Sequence, residues 1–285
     1  MARNALRVRD FVAQGTKTLA AAGVPSPARE ARRLLSLAVG SPGAVLGPGE
    51  RVLPSVGRRY RLLVGERARR VPLPLIEGET GFLDFDLAVG PGVFVPRPET
   101  EELAERAIAV LRSFPPCPLA LDLGTGSGAL ALALARARDD VLVIAVERSP
   151  RALACARRNV RRLDLGGRVE VRRSDWFSHV RERFHLIVAN PPYVARPELV
   201  SLDPEVRRYE PRRALDGGPD GLVAIRAILA SAPHHLVVGG AILIEIGDGQ
   251  GERVLRFARH VPSLVETRVE RDLRGRERFF SGRCA

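Results

Sequence analysis

The sequence predicts an α/β protein: a doubly wound, mostly parallel sheet, preceded by a small helical bundle and joined to it by a β-hairpin linker. Three observations predict it. From Leu119 onward, apolar runs of strand length alternate with amphipathic runs of helical length, the pattern of βαβ units. Before position 72 only helical periodicity appears. Between the two regions, glycines and prolines punctuate short alternating segments.

In order along the chain, Leu6, Phe11, Val12 and Leu19 give a first helix one apolar face. Ser26-Pro27 sets an N-cap before a proline, whose fixed φ and missing N–H cost nothing at the first helical position. Leu34, Leu35 and Leu37 carry that second helix to Gly40, and Ser55 stands where it could cap a third through Tyr60, Leu62, Leu63 and Val64. This bundle, 1–72, has no obvious chemistry of its own. Val71-Pro72-Leu73-Pro74 breaks the helix, and Gly78, Gly81, Gly90 and Gly92 bracket the alternating Phe82-Leu83-Asp84-Phe85-Asp86-Leu87; the linker, 73–98, therefore reads as a β-hairpin. Thr100 is placed to cap a helix carrying Leu103, Ala107 and Val110, with acidic residues in its first turn. In the remaining domain, 99–285, strands are expected at 119–123, 141–146, 168–172, 185–189 and 241–246, with Phe279-Phe280 in a last one. Helices are expected at 128–138, 150–163, 220–232 and 250–260.

Composition narrows the function classes. With 45% hydrophobic residues among 285, a normal core is within reach. Cys117, Cys155 and Cys284 are widely spaced and form neither a metal-binding nor a disulfide pattern, which points to a reducing cytoplasm. Met1-Ala2-Arg3-Asn4 leads into a broken, charged pattern instead of an apolar leader, and no run approaches the roughly 18 apolar residues of a membrane span. The formal charge of +12 invites a nucleic-acid reading. Lys17 is the only lysine, however, and the arginines are dispersed along the chain instead of gathered in a stripe. Solvated surface accounts for them better than a nucleic-acid groove does.

The chemistry concentrates at strand ends. Ala120-Leu121-Asp122-Leu123 runs into Gly124-Thr125-Gly126-Ser127-Gly128 and then a helix. Glycines there allow positive φ and close approach of a ligand to the backbone. The spacing G-x-G-x-G is one residue short of the dinucleotide fingerprint, which disfavours a pyrophosphate and favours S-adenosylmethionine. Glu147, 23 positions after Gly124, closes the next strand, where an acid can accept from both ribose hydroxyls. Asp175 and Trp176 follow the third strand, placed to meet an adenine amino group and purine face; the alternative is a capped turn with a packed indole. Asn190-Pro191-Pro192-Tyr193 follows Leu186-Ile187-Val188-Ala189. Two prolines cannot continue a central strand, so the chain leaves the sheet there and exposes an amide and carbonyls without ladder partners. Two neighbouring acceptors suit a planar NH₂ group, with Tyr193 as an apolar wall. Asp203/Glu205 and His234/His235 are rejected as sites, since adjacent histidines diverge and no third ligand is near. Glu245, inside Ala241-Ile242-Leu243-Ile244-Glu245-Ile246, must have a partner, but the sequence does not name it.

Together these motifs resemble those of the HemK-type protein-(glutamine) methyltransferases over most of the chain. Val95-Pro96-Arg97-Pro98-Glu99-Thr100-Glu101 looks like that family's hallmark loop; Leu215-Asp216-Gly217-Gly218-Pro219-Asp220-Gly221-Leu222, Glu245-Ile246-Gly247 with Gln250, and Asp272-Leu273 with Gly275, Glu277 and Arg278 fit its later signatures. Leu75 and His185 depart from it, where tyrosine and aspartate are usual, as does Glu147, where aspartate is usual. The resemblance implies a seven-stranded Rossmann-like methyltransferase sheet. It implies S-adenosylmethionine bound by Gly124 to Gly128, Glu147, Asp175, Trp176 and Asn190, and leaving as S-adenosylhomocysteine, with no metal. It implies catalysis by Asn190, Pro191 and Tyr193, with Pro192 also on the substrate. The expected substrate is the glutamine in the Gly-Gly-Gln loop of class-1 peptide chain release factors, met by a cytoplasmic monomer with no membrane or stable nucleic-acid partner. A ribosomal-protein glutamine methyltransferase, an amino methyltransferase acting on a nucleic-acid base and a non-enzymatic cofactor sensor are the alternatives.

Overall fold

The computed structural model describes residues 7–40 and 47–285; Met1 to Asn4 and Leu6, used above, lie outside the described residues. The chain forms two compact units. One runs to Gly78 and takes in Pro204–Tyr209; the other holds Glu79–Asp203 and Glu210–Ala285.

The first unit contains α1 (Val8–Ala21), α2 (Pro27–Val39), α3 (Pro54–Ala68) and a short α4 (Leu73–Glu77). Phe11, Leu19, Leu34, Leu35 and Tyr60 are its buried centre. The Tyr60 hydroxyl donates to the Phe11 carbonyl at 3.1 Å, and burial pushes its phenol up to about 12. The caps differ from expectation. Ser26 stands at the N-cap of α2 but makes no side-chain cap bond, and Ser55 lies inside α3, because Pro54 takes the first helical position and Leu53 the cap. Gly40 closes α2 in the left-handed region, as its place in the sequence suggests.

Glu205, considered above as an acid–base candidate, belongs to this unit and has a structural role. Arg67, only 4% exposed, reaches Glu30 at 2.5 Å and Glu205 at 3.0 Å, and Arg70 reaches Glu205 at 2.6 Å. Burial alone would raise the Glu205 carboxyl, but the Arg70 and Arg67 guanidiniums hold it below its ordinary value. Removing one member of a buried network leaves the others uncompensated. Arg67→Met is therefore expected to destabilise this unit by about 3 kcal/mol, checked by denaturant unfolding.

The second unit opens with a hairpin, β1 (Glu79–Phe82) and β2 (Phe85–Ala88), then α5 (Pro98–Arg112). There follow β3 (Leu119–Leu123), α6 (Ala129–Ala137), β4 (Leu142–Glu147), α7 (Pro150–Arg162), β5 (Val169–Arg173) and β6 (Phe184–Ala189). After α8 (Pro204–Tyr209), which sits in the first unit, come α9 (Val223–Ser231), β7 (Leu236–Glu245), α10 (Gly251–Ala258), β8 (Leu264–Arg271) and β9 (Glu277–Cys284). The sheet order is β5-β4-β3-β6-β7-β9-β8, with only the β9 pairings antiparallel. This is the seven-stranded, doubly wound sheet expected. Apolar residues of α5, α6 and α7 cover one face, and those of α9 and α10 the other. Asn159 on α7 ties the hairpin in: it donates to Ala88 and Ser127 carbonyls at 2.9 and 2.8 Å and accepts from the Ala88 N–H.

Some boundaries move. The hairpin carries the linker, but the residues before it, Leu73–Glu77, form a helix in the first unit. The helix expected from 220 begins at Val223, because Gly221 holds φ +76°. Strand β7 starts five residues before the expected 241, its amino end hidden by Gly239-Gly240, and β8 has no counterpart among the expected strands. Its alternation of Glu266, Arg268 and Glu270 is that of a charged sheet edge.

The strand order places β4 on one side of β3 and β6 on the other. The chain winds in opposite directions from that point, and a crevice opens beyond the carboxyl ends of β3 and β6.

Candidate active site

A cavity of about 830 Å³ occupies this crevice. One wall is the glycine loop after β3. Gly124, Gly126 and Gly128 all hold positive φ, and a Cβ on Gly124 would stand 3.4 Å from the Trp176 ring. Gly124, Thr125, Gly126 and Ser127 line the cavity. Gly128 does not; it precedes α6 at φ +91°, and a Cβ there would stand 3.3 Å from the Leu132 side chain, a tight fit, and in ordinary contact with Ala156.

Glu147 lines the cavity at the end of β4. Its Oε1 accepts the Arg148 and Ser149 N–H groups at 2.8 and 2.7 Å, and its Oε2 the Gly126 N–H at 3.1 Å. The extra methylene relative to aspartate is thus used to fold the carboxylate back on the glycine loop. Three donors leave about one of a carboxylate's four lone-pair sites free, on Oε2, where one ribose hydroxyl can still be accepted. Asp175 and Trp176 line the same end, Asp175 paired with Arg148 at 3.2 Å and Trp176 at φ +49°. A non-glycine residue in that region is strained, and here it presents the indole to the cavity.

Asp122, part of the glycine motif but not among the expected site residues, is 1% exposed and also lines the cavity. Its Oδ2 accepts from the Thr125 hydroxyl at 2.6 Å and the Ala131 N–H at 3.1 Å. Its Oδ1 and the Ser127 hydroxyl are buried with no partner among the described residues. Burial pushes the Asp122 carboxyl up to about 7, against the Thr125 and Ala131 hydrogen bonds. The signal was present in the sequence: an acid inside an apolar strand.

The other wall follows β6. Asn190, Pro192 and Tyr193 line the cavity; Pro191 is buried and does not. The Tyr193 carbonyl accepts from Gln250 Nε2 at 2.8 Å, and Val194 bridges to the segment ending at Leu222. That segment must pass close: a Cβ on Gly221 would stand 2.4 Å from the Tyr193 carbonyl oxygen. Neither Asn190 Oδ1 nor the Pro191 carbonyl takes a hydrogen bond among the described residues. Asn190 Nδ2 donates to Thr100 Oγ1 at 2.9 Å, Thr100 donates to Glu245 Oε2 at 2.9 Å, and the Tyr193 hydroxyl donates to Glu245 Oε1 at 3.0 Å. Glu245 thereby has its partners. Thr100 is not a helix cap: Pro98 starts α5 behind Arg97, which leaves Thr100 buried in the first turn with its hydroxyl turned to Glu245.

The other candidates stay apart. His234 and His235 lie in a 3₁₀ turn, His235 stacked on Phe177 at 4.5 Å, and the described residues contain no group of three or more His, Cys, Asp or Glu placed to hold a metal ion. No described helix is long and apolar enough to cross a membrane. His185 accepts the Leu119 N–H at 3.1 Å, away from the cavity.

The glycine wall fits S-adenosylmethionine. The unpartnered Asp122 Oδ1 and Ser127 hydroxyl are acceptors for a buried cationic or N–H donor, Glu147 suits a ribose, and Trp176 with Asp175 suits an adenine. A cavity that fits S-adenosylmethionine on one wall and carries the unpartnered Asn190 oxygen on the other is that of a methyltransferase domain, the class that comparison with known proteins gives. Residues 108–201 match the Methyltransferase small domain, and residues 10–78 the PrmC N-terminal domain. The chain is 41% identical over 280 residues to the release factor glutamine methyltransferase of Cereibacter sphaeroides, covering 98% of this chain and 99% of that protein. It is 40% identical over 280 residues to that of Mycolicibacterium smegmatis, covering 96% and 97%. A T. Thermophilus 16S rRNA methyltransferase solved with AdoMet and guanosine shares the fold, with TM-score 0.50 and 19% identity over 73% of this chain and 50% of that one. The chain belongs to the release factor glutamine methyltransferase family.

Proposed function

We propose that this chain methylates the side-chain amide nitrogen of the glutamine in the Gly-Gly-Gln loop of class-1 peptide chain release factors. The observation that carries the reading is the Asn190 amide, whose nitrogen is engaged by Thr100 and whose oxygen is left without a partner on the cavity wall.

S-adenosylmethionine, when bound, supplies a sulfonium-activated methyl group that needs no metal to leave. Asp122, the loop from Gly124 to Ser127, Glu147, Asp175 and Trp176 are the residues that would hold it. The chain's task is then to present a poor nucleophile, since an amide lone pair is delocalised into its carbonyl. Asn190 Oδ1 accepts from the glutamine NH₂ and fixes its plane, while Pro191, buried behind the wall, holds the turn that carries Asn190. Hydrogen bonds of this kind strengthen as positive charge builds on nitrogen in the transition state. Holding the nitrogen in line with the methyl supplies the entropic share, several kcal/mol where alignment is good. Pro192 and Tyr193 wall the aliphatic part of the glutamine, and the nitrogen sheds one proton to solvent. The helical unit is assigned the grip on the release factor outside the loop. The enzyme is taken to act as a cytoplasmic monomer, releasing S-adenosylhomocysteine and forming no lasting complex with nucleic acid or membrane.

Labelled S-adenosylmethionine offered with release factors, ribosomal proteins and RNA together tests this. Label is expected on the release factor; label confined to RNA or to a ribosomal protein overturns it.

A further inference from the structure

The hydrogen bonds behind Asn190 run in one direction only. Glu245 is 0% exposed, and an ionised carboxylate can only accept. Its two oxygens receive the Tyr193 and Thr100 hydroxyls. Thr100 has a single hydroxyl hydrogen, and Glu245 takes it. Thr100 Oγ1 can therefore only accept from Asn190, so the nitrogen of that side-chain amide faces Thr100 and its oxygen faces away.

We infer that Thr100 and Glu245 are positioning residues that fix the Asn190 amide oxygen-outward, so that it meets an acceptor NH₂ and never competes as a donor. This inference rests on the role proposed above for Asn190. A turned amide would present its own NH₂ to the glutamine NH₂, two donors facing each other, and the substrate plane would be lost.

The arrangement makes orientation depend on the charge of Glu245. The charged and titratable groups facing it are Glu99 on α5, Tyr193 after β6 and Arg278 on β9, with Arg276 paired to Glu99 and Asp272 beside Arg278. Burial raises the Glu245 carboxyl to about 7; the Thr100 and Tyr193 hydrogen bonds and Arg278 oppose that, and Glu99 adds to it. Below that pH the carboxyl gains a proton and becomes a donor. Thr100 is then no longer forced to accept, and the Asn190 amide can turn. Rate should consequently fall as pH is lowered through about 7. Asp122 titrates in the same range, but it lies on the cofactor wall, so its protonation acts on cofactor affinity while that of Glu245 acts on kcat at saturating cofactor.

The test compares Thr100→Val, Thr100→Ser and Glu245→Gln with the unsubstituted enzyme, using release factor as substrate. Thr100→Val should lower kcat on the order of 10- to 100-fold with the dissociation constant for S-adenosylmethionine unchanged, and Thr100→Ser, which keeps the hydroxyl, should recover most of the loss. Glu245→Gln should lower kcat and erase its acid limb. Independently of turnover, the Asn190 side-chain NH₂ protons followed by NMR should exchange faster in Thr100→Val. A Thr100→Val enzyme with unchanged kcat and unchanged NH₂ exchange overturns the inference, as does a Thr100→Ser enzyme as slow as Thr100→Val. If Glu245→Gln fails to fold, the two Thr100 variants decide alone. Unsubstituted enzyme that leaves release factor unlabelled sinks the functional reading instead, and NH₂ exchange then still decides whether Thr100 sets the amide.

Discussion

Asn190→Ala is expected to reduce kcat by about 10³-fold while S-adenosylmethionine binds almost as before. The asymmetry follows from where the side chain sits. Asn190 lines the wall after β6, while the cofactor's ionic and ribose contacts are assigned to the β3 and β4 ends of the cavity. Losing one transition-state hydrogen bond costs about 10²- to 10³-fold in well-studied cases. Here the same substitution also releases the plane of the acceptor amide, and small misplacements cost up to a further 10²-fold or so. The protein should remain folded, because the group deleted is partly exposed and Thr100 keeps its bond to Glu245. Rate is read from label transfer and affinity from calorimetry. A variant that loses cofactor affinity and rate in equal measure would place Asn190 on the cofactor instead of the acceptor.

Glu147→Ala has the opposite signature. It removes the acceptor of three backbone N–H groups, two opening the turn into α7 and one in the glycine loop, together with the proposed ribose contact. Hydrogen bonds to a charged group contribute about 1.5–3 kcal/mol each. Loss of the ribose contact and loosening of the loop should together weaken cofactor binding by about 100-fold, near 2.7 kcal/mol. Trp176 is the only tryptophan and lines the same cavity, so its fluorescence reports the affinity directly. Glu147→Asp should keep most of the affinity, since its carboxylate still ends β4. At saturating cofactor, kcat should fall far less than in Asn190→Ala.

The parts of the site legible in the sequence are those that a strand end determines locally. Gly124 to Ser127, Glu147, Asp175, Trp176 and Asn190 each follow a strand that apolar runs had located to within a residue or so, and all of them line one cavity. Gly128 departs from them: it belongs to the same glycine pattern but does not line the cavity, and a Cβ there would be tight against Leu132. A threonine before an acidic turn reads as a cap, but Pro98 fixes the helix start two residues earlier. What no local pattern could give is the contact from Thr100 to Glu245, 145 positions away, and to Asn190, 90 away. The sequence said only that a carboxylate among aliphatics needs partners. The fold supplies them, by bringing α5 against the carboxyl ends of β6 and β7. Strand β8 escaped for a different reason: an edge strand with alternating charges has no apolar run to announce it.

Incubating the protein with S-adenosylmethionine and an unmethylated release factor, then locating the modification by tandem mass spectrometry, shows whether the methyl group goes to a glutamine side-chain nitrogen held by Asn190. One methyl group on the amide nitrogen of the Gly-Gly-Gln glutamine, absent when Asn190→Ala replaces the enzyme, is the expected result. A methyl group at any other position of the release factor, or on that glutamine with Asn190→Ala at undiminished rate, would contradict the account.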